Sequence, residues 1–177
     1  MYAFGDFPAA SGYRCILTSH QIRSAQLEDD MPKVLASTGQ TFAVGTANGK
    51  LYTANSWRPA WDNEVTAADG TDNDIPIREI AAGKGRFVAV AHDDKSSVIL
   101  TFAEDGKTYD RITQGTNSSF DDLLLSDVAY SRDHNVFVAA GMADGSTRVF
   151  TSADGKEWEL NKTLNERFLH LEWAPDV

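Results

Sequence analysis

The chain has 177 residues, 42% hydrophobic and 24% charged, with a net charge of -10. That is enough apolar material for one domain with its own core. The acidic balance argues against nucleic-acid binding and against anionic membrane surfaces, both of which call for a basic face. No apolar run reaches 18 residues, so no membrane-spanning helix is expected.

The first fifteen residues, "MYAFGDFPAASGYRC", have neither a basic start nor a continuous apolar stretch. They are read as no secretory signal, which places synthesis in the cytoplasm. Cys15 is the only cysteine. It excludes an intramolecular disulfide and a multi-cysteine zinc site, and it sits in the apolar run "YRCILTS" as an expected buried thiol.

From there the chain repeats itself. "VLASTGQTFAVGTANGKLYT", "IAAGKGRFVAVAHDDKSSVILTF" and "VAYSRDHNVFVAAGMADGSTRVFT" each read as strand, polar turn, small-and-apolar strand, turn, strand. Asn48-Gly49 and Asp144-Gly145 are dipeptides that accept positive φ in tight hairpins. The second strands are rich in Ala and Gly, which lets neighbouring sheets approach closely near a crowded axis. The period is about 46 residues from Gly45 to Ala91 and about 50 from Ala91 to Gly141. Periods of that size with several short strands are the mark of propeller blades.

The chain ends "RFLHLEWAPDV", with the alternation of a half-buried strand and nothing after it. Joined to the other terminus, "LEWAPDV" plus "MYAFG" restores the spacing of the other repeats, and "CILTS" matches "RVFTS" as a later strand. The expectation is therefore an all-β fold: a small β-propeller of about four blades, 171–177 with 1–30, 33–75, 77–122 and 126–165. The C-terminal strand would complete the N-terminal blade and cover two sheet edges. The alternatives are a half-propeller completed by a second chain and a β-sandwich.

"FAEDGKTYD" and "TSADGKEWE" align without gaps, so Asp105, Gly106 and Tyr109 match Asp154, Gly155 and Trp158. In such a turn Asp accepts backbone amides, Gly takes positive φ, and the aromatic folds back onto the turn. Ser152 to Trp158 resembles a shortened Asp-box, the repeat of sialidase-type (BNR) propellers, and the repeats are similar to those of propeller-like proteins in phage tails and heads. The resemblance covers about 33–160. It implies a propeller fold in which the motif is structural and lies away from any catalytic residue.

No catalytic, cofactor-binding or metal-binding set is expected, and the chain is read as a non-enzyme. A sialidase would need an arginine cluster, a Tyr nucleophile with a Glu partner and an acid/base Asp. The nine arginines are scattered, and the chain is short for six blades. His20, His92, His134 and His170 fall at different repeat positions and read as solvated loop residues. "AADGTDNDIP" lacks calcium-loop spacing, and "AGKGR" reads as a hairpin turn without the helix of a phosphate loop. The recognition hint is "SWRPAW": Trp57, Arg58 and Trp61 form a candidate protein or glycan contact. The expected function is a non-catalytic interaction or structural protein, with a phage tail or head accessory subunit as the setting the resemblance implies. Its partners would be other proteins, with homo-oligomerisation as an option. The alternative is a glycan-binding propeller.

Overall fold

The computed structural model describes residues 2–4, 16–18, 32–54, 63–66, 75–93, 97–105, 108–113, 120, 122–167 and 170–171. A two-stranded antiparallel sheet joins β1 (Tyr2–Phe4) to β2 (Ile16–Thr18). Three four-stranded meanders follow. The first holds β3 (Pro32–Ser37), β4 (Phe42–Thr46), β5 (Lys50–Ala54) and β6 (Asn63–Thr66). The second holds β7 (Ile77–Gly83), β8 (Arg86–His92), β9 (Ser97–Ala103) and β10 (Tyr109–Thr113). The third holds β11 (Leu124–Ser131), β12 (Val136–Ala143), β13 (Ser146–Ser152) and β14 (Glu159–Leu164). Each meander pairs strands in simple chain order, all antiparallel. Closure by residues 172–177 lies outside the described residues.

The middle sheet explains the apolar runs of the sequence. Its inner strands β8 and β9 are buried on both faces, so alternate residues serve different cores. On β8, Phe87, Ala89 and Ala91 face the core shared with β3–β6, while Val88 and Val90 face the core shared with β11–β14. On β9, Val98, Leu100 and Phe102 take the first side and Ile99 the second. Phe87 and Phe102 stack with ring centroids 5.3 Å apart. Each fully buried side chain of this size contributes about 1.5–3 kcal/mol of burial free energy. The second core adds Phe120 and Leu123 from the connection between the sheets, with Phe137, Phe150 and Trp158.

The sheets meet through their first strands, with β7 against β3 on one side and β11 on the other. Small residues permit this approach. A Cβ on Gly45 would lie 2.5 Å from Ile77 Cγ2 of the next sheet. The β7–β8 hairpin turns on Lys84 and Gly85, at φ +50° and +67°, and β12–β13 turns on Asp144 and Gly145, at +50° and +77°. Both are type I′ signatures, whose twist matches the strands. At Asn48-Gly49 only Gly49 has positive φ.

One irregularity recurs in all three meanders. The first strand carries a one-residue bulge, at Lys33, Arg78 and Ser126. The bulge sits at the same place each time, so Val34, Glu79 and Asp127 occupy equivalent positions just after it. A bulge re-aims the residues that follow, and here it puts two carboxylates between β7 and β11.

Candidate functional site

The turn from Ser152 to Trp158 is built as a closed hydrogen-bond unit. Ser152 Oγ accepts the amides of Gly155 (2.8 Å) and Asp154 (3.4 Å) and donates to Asp154 Oδ1 (3.1 Å). Asp154 Oδ1 accepts the amides of Lys156 (2.8 Å) and Glu157 (3.0 Å). Trp158 is buried, and its Nε1 donates to the Gly155 carbonyl at 3.0 Å. The Glu157 amide above all, then the Lys156 amide, the Ser152 hydroxyl and the Arg86 charge, hold the Asp154 carboxyl below the usual carboxylate range, against a smaller opposing effect of burial.

The outer side of this turn docks on the neighbouring sheet. Lys84 Nζ donates to the Ala153 carbonyl at 2.8 Å, and Arg86 Nη1 to the Asp154 carbonyl at 2.8 Å. Thr101 Oγ1 donates to the Gly155 carbonyl. Gly155 has φ +75°, and a Cβ there would lie 2.7 Å from Val88 Cγ2. The loop is thus a staple between two sheets.

The matching turn after β9 differs. Asp105 is exposed, Gly106 lies outside the described residues, and Tyr109 is 50% exposed. The expectation that this aromatic folds back as Trp158 does is corrected. Ala103 stands where the last sheet has Ser152, so the hydroxyl that gathers the Gly155 and Asp154 amides has no counterpart. The Ala103 amide bonds the Thr108 carbonyl at 3.2 Å instead. Tyr109 pairs across the ladder with Phe102 and stays half in solvent.

Beside Tyr109 lies a cleft of about 280 Å³, lined by Gly85 and Arg86, Thr101 to Ala103, Thr108 to Asp110, and Lys156. Lys156 Nζ and Asp110 Oδ2 pair across it at 2.6 Å. The cleft is shared between the second and third meanders. Arg86 Nε is enclosed without a hydrogen-bond partner.

The opposite rim holds the two re-aimed carboxylates. Asp127 is 3% exposed. Its Oδ2 accepts the Leu171 amide and contacts His170 Nδ1 at 2.8 Å, while Oδ1 has no hydrogen-bond partner. Glu79 Oε1 accepts the Ile80 amide at 3.0 Å. Burial pushes the Glu79 carboxyl up and the Asp127 charge adds to this, while the Ile80 amide and His170 oppose it. His170, read from the sequence as a solvated loop residue, is exposed yet, with the Leu171 amide, holds residues 170–171 against Asp127 of β11. The signal that could have found this group is Asp127 itself, an acid inside the apolar strand "LLLSDVAY".

Trp57, Arg58 and Trp61 lie outside the described residues. Among the described residues no three His, Cys, Asp or Glu side chains converge as metal ligands, and no helix is long and apolar enough to cross a membrane.

Among solved structures, the chain is similar to the computationally designed Ika4 protein at 15% identity and a TM-score of 0.54, covering 86% of this chain and 85% of that one. It is also similar to NirN, a dihydro-heme d1 dehydrogenase in complex with DHE, at 18% identity and a TM-score of 0.53, covering 74% of this chain. The fold is a small β-propeller. Its four-stranded meanders are the blades, and the Ser152–Trp158 turn ties one blade to the next. The β-propeller domain of Cps50 (Swd1) from Myceliophteria thermophila aligns at 10% identity and a TM-score of 0.49, covering 75% of this chain. The chain spans 27% of the NirN chain and 43% of the Swd1 chain. No protein-family model and no curated protein matches it.

Proposed function

We propose that the chain is a non-catalytic β-propeller module that binds other proteins within a larger assembly. The observation that carries this reading is the outer edge of the last blade. Strand β14 pairs only with β13 among the described strands, and Glu159 to Thr163 are all exposed. Leu160 is 47% exposed and, with Tyr109, makes up the large exposed hydrophobics among the described residues. Such an edge offers backbone donors and acceptors to an added strand, with an apolar anchor near its start. Glu159 and Lys162 on the same edge select against indiscriminate pairing. Meanwhile Ser152, Asp154 and Asp127, the polar groups with the most organised surroundings, are engaged in holding the fold.

The motif resemblance to sialidase-type and phage propeller-like repeats supplies the setting: an accessory subunit of a virion tail or head. A second reading, a glycan-binding propeller, is favoured by the polar cleft beside Tyr109.

The test is photo-cross-linking in the native host from a photoreactive phenylalanine at position 160, with position 132, in an exposed turn, as the control. The reading expects a covalent adduct to another protein from position 160 and none from 132. Absence of any adduct from 160, or substrate turnover by the purified chain, overturns it.

A further inference from the structure

We propose that the cleft between the β7–β10 and β11–β14 blades is a binding site for a neutral saccharide, with Tyr109 as its stacking platform and the Asp110–Lys156 pair as its hydroxyl clamp. The inference rests on the glycan-binding reading, for which it names the site and the ligand class, and it is independent of protein docking at β14. Its first support is size and shape. About 280 Å³ falls just below the roughly 300–1,000 Å³ of drug-sized pockets, and suits a ligand of about one sugar ring. Its second support is chemical character. Tyr109 is half-exposed at the cleft, so an apolar ring face stands ready for the C–H face of a sugar. Thr108 and Asp110 flank it in the chain and line the same cleft.

The charges decide between ligand classes. Lys156 and Asp110 already neutralise each other at 2.6 Å, with about half of each side chain exposed. Arg86 is committed through Nη1 to the Asp154 carbonyl, its charge is offset by the neighbouring Asp154 carboxyl, and its unpartnered Nε is enclosed away from the surface. An anion entering here meets the Asp110 carboxylate, and a cation meets Lys156 and Arg86. A neutral polyhydroxylated ligand meets neither penalty. Each hydroxyl both donates and accepts, so one hydroxyl bridges Asp110 and Lys156 at once, replacing the waters on their exposed sides.

On the Lys156 side the frame is braced by hydrogen bonds, and such preorganisation lowers the ordering cost of binding. Thr101 and Phe102 form a floor inside β9 and are 2% and 1% exposed. Lys156 is delivered by the Ser152–Trp158 turn, whose own bonds to Arg86, Lys84 and Thr101 fix it across the blade boundary.

The experiment is an NMR titration of the full 177-residue chain with glucose, galactose, mannose, fucose, N-acetylglucosamine and lactose, taken to tens of millimolar. The expected result is saturable shifts at the amides of Thr108 to Arg111 and Asp154 to Glu157 with at least one of these sugars. Tyr109→Ala weakens that binding about tenfold or more, and Tyr109→Phe stays within about twofold, since the ring face is kept. Asp110→Asn also weakens it, and serves as the second variant if Tyr109→Ala fails to fold. No shifts with any sugar, or binding unchanged by Tyr109→Ala, overturns the proposal. Stronger binding of glucuronate than of any neutral sugar overturns the assignment of charge class. Protein docking at Leu160 is read separately by cross-linking, so either reading can fail alone.

Discussion

Removing the neutral hydroxyl of Ser152 is expected to cost more stability than removing the charged carboxyl of Asp154. Asp154 Oδ1 accepts two amides, and hydrogen bonds to charged groups are worth about 1.5–3 kcal/mol each when desolvated. Lys156 and Glu157 are exposed, however, so after Asp154→Ala their amides bond water. The loss then resembles that of a solvated cap, about 1 kcal/mol. Ser152 is 3% exposed and Gly155 is buried. After Ser152→Ala the Gly155 amide has no acceptor and little water. That costs the desolvation of a buried donor, about 1–3 kcal/mol, plus the lost bond to Asp154. For a chain of this size, 1 kcal/mol shifts the melting temperature by roughly 2–4 °C. The assay is urea unfolding of both variants at pH 7, with the slope checked for constancy. The pH dependence is a further signature. The Asp154 carboxyl is held low in the fold, so its contribution is present above the ordinary carboxylate range and fades as pH falls through its folded value. The Asp154→Ala deficit should shrink in acid and the Ser152→Ala deficit should not follow that course. A larger cost for Asp154→Ala at pH 7, or a neutral Ser152→Ala, refutes the reasoning.

Gly155→Ala should cost about 3 kcal/mol or more, from positive φ together with the clash on Val88. Gly145→Ala, where a Cβ would meet nothing within 4 Å, should cost only about 1–2 kcal/mol; thermal unfolding of the pair checks the difference. Glu79 is pushed up by burial, so its effect runs opposite to that of Asp154: stability is fullest below its unfolded value and is lost as pH rises through its folded value. Glu79→Gln should therefore be more stable than the parent at pH 8 and close to it at pH 4, read from unfolding midpoints at both.

The parts of this fold legible in the sequence are those with local causes. Lys84-Gly85 and Asp144-Gly145 carry their turn chemistry in the dipeptide. Phe87 to Ala91 is apolar at every position because β8 is covered on both faces. Ser152 to Trp158 closes a hydrogen-bond unit within seven residues. The fourth strands carry a weaker signal. Glu159–Leu164 is an edge strand whose residues are nearly all exposed, so no hydrophobic alternation marks it. The repeated bulge at Lys33, Arg78 and Ser126 has no residue signature either, because a bulge is a relation between two strands. Without the bulge, the burial of Asp127 and its contact with His170, some forty residues apart, could not be foreseen. Tyr109 shows the limit of motif alignment: the aromatic and the Asp-Gly repeat, while the change from Ser152 to Ala103 alters the turn.

Strand β14 is the proposed docking edge for another protein. Hydrogen exchange tests it most directly, comparing the isolated chain with the chain in its native assembly. The account predicts fast exchange of the outward-facing amides of Glu159–Leu164 in isolation and strong protection in the assembly, with β12 equally protected in both. Equal, fast exchange of those amides in both states would contradict it.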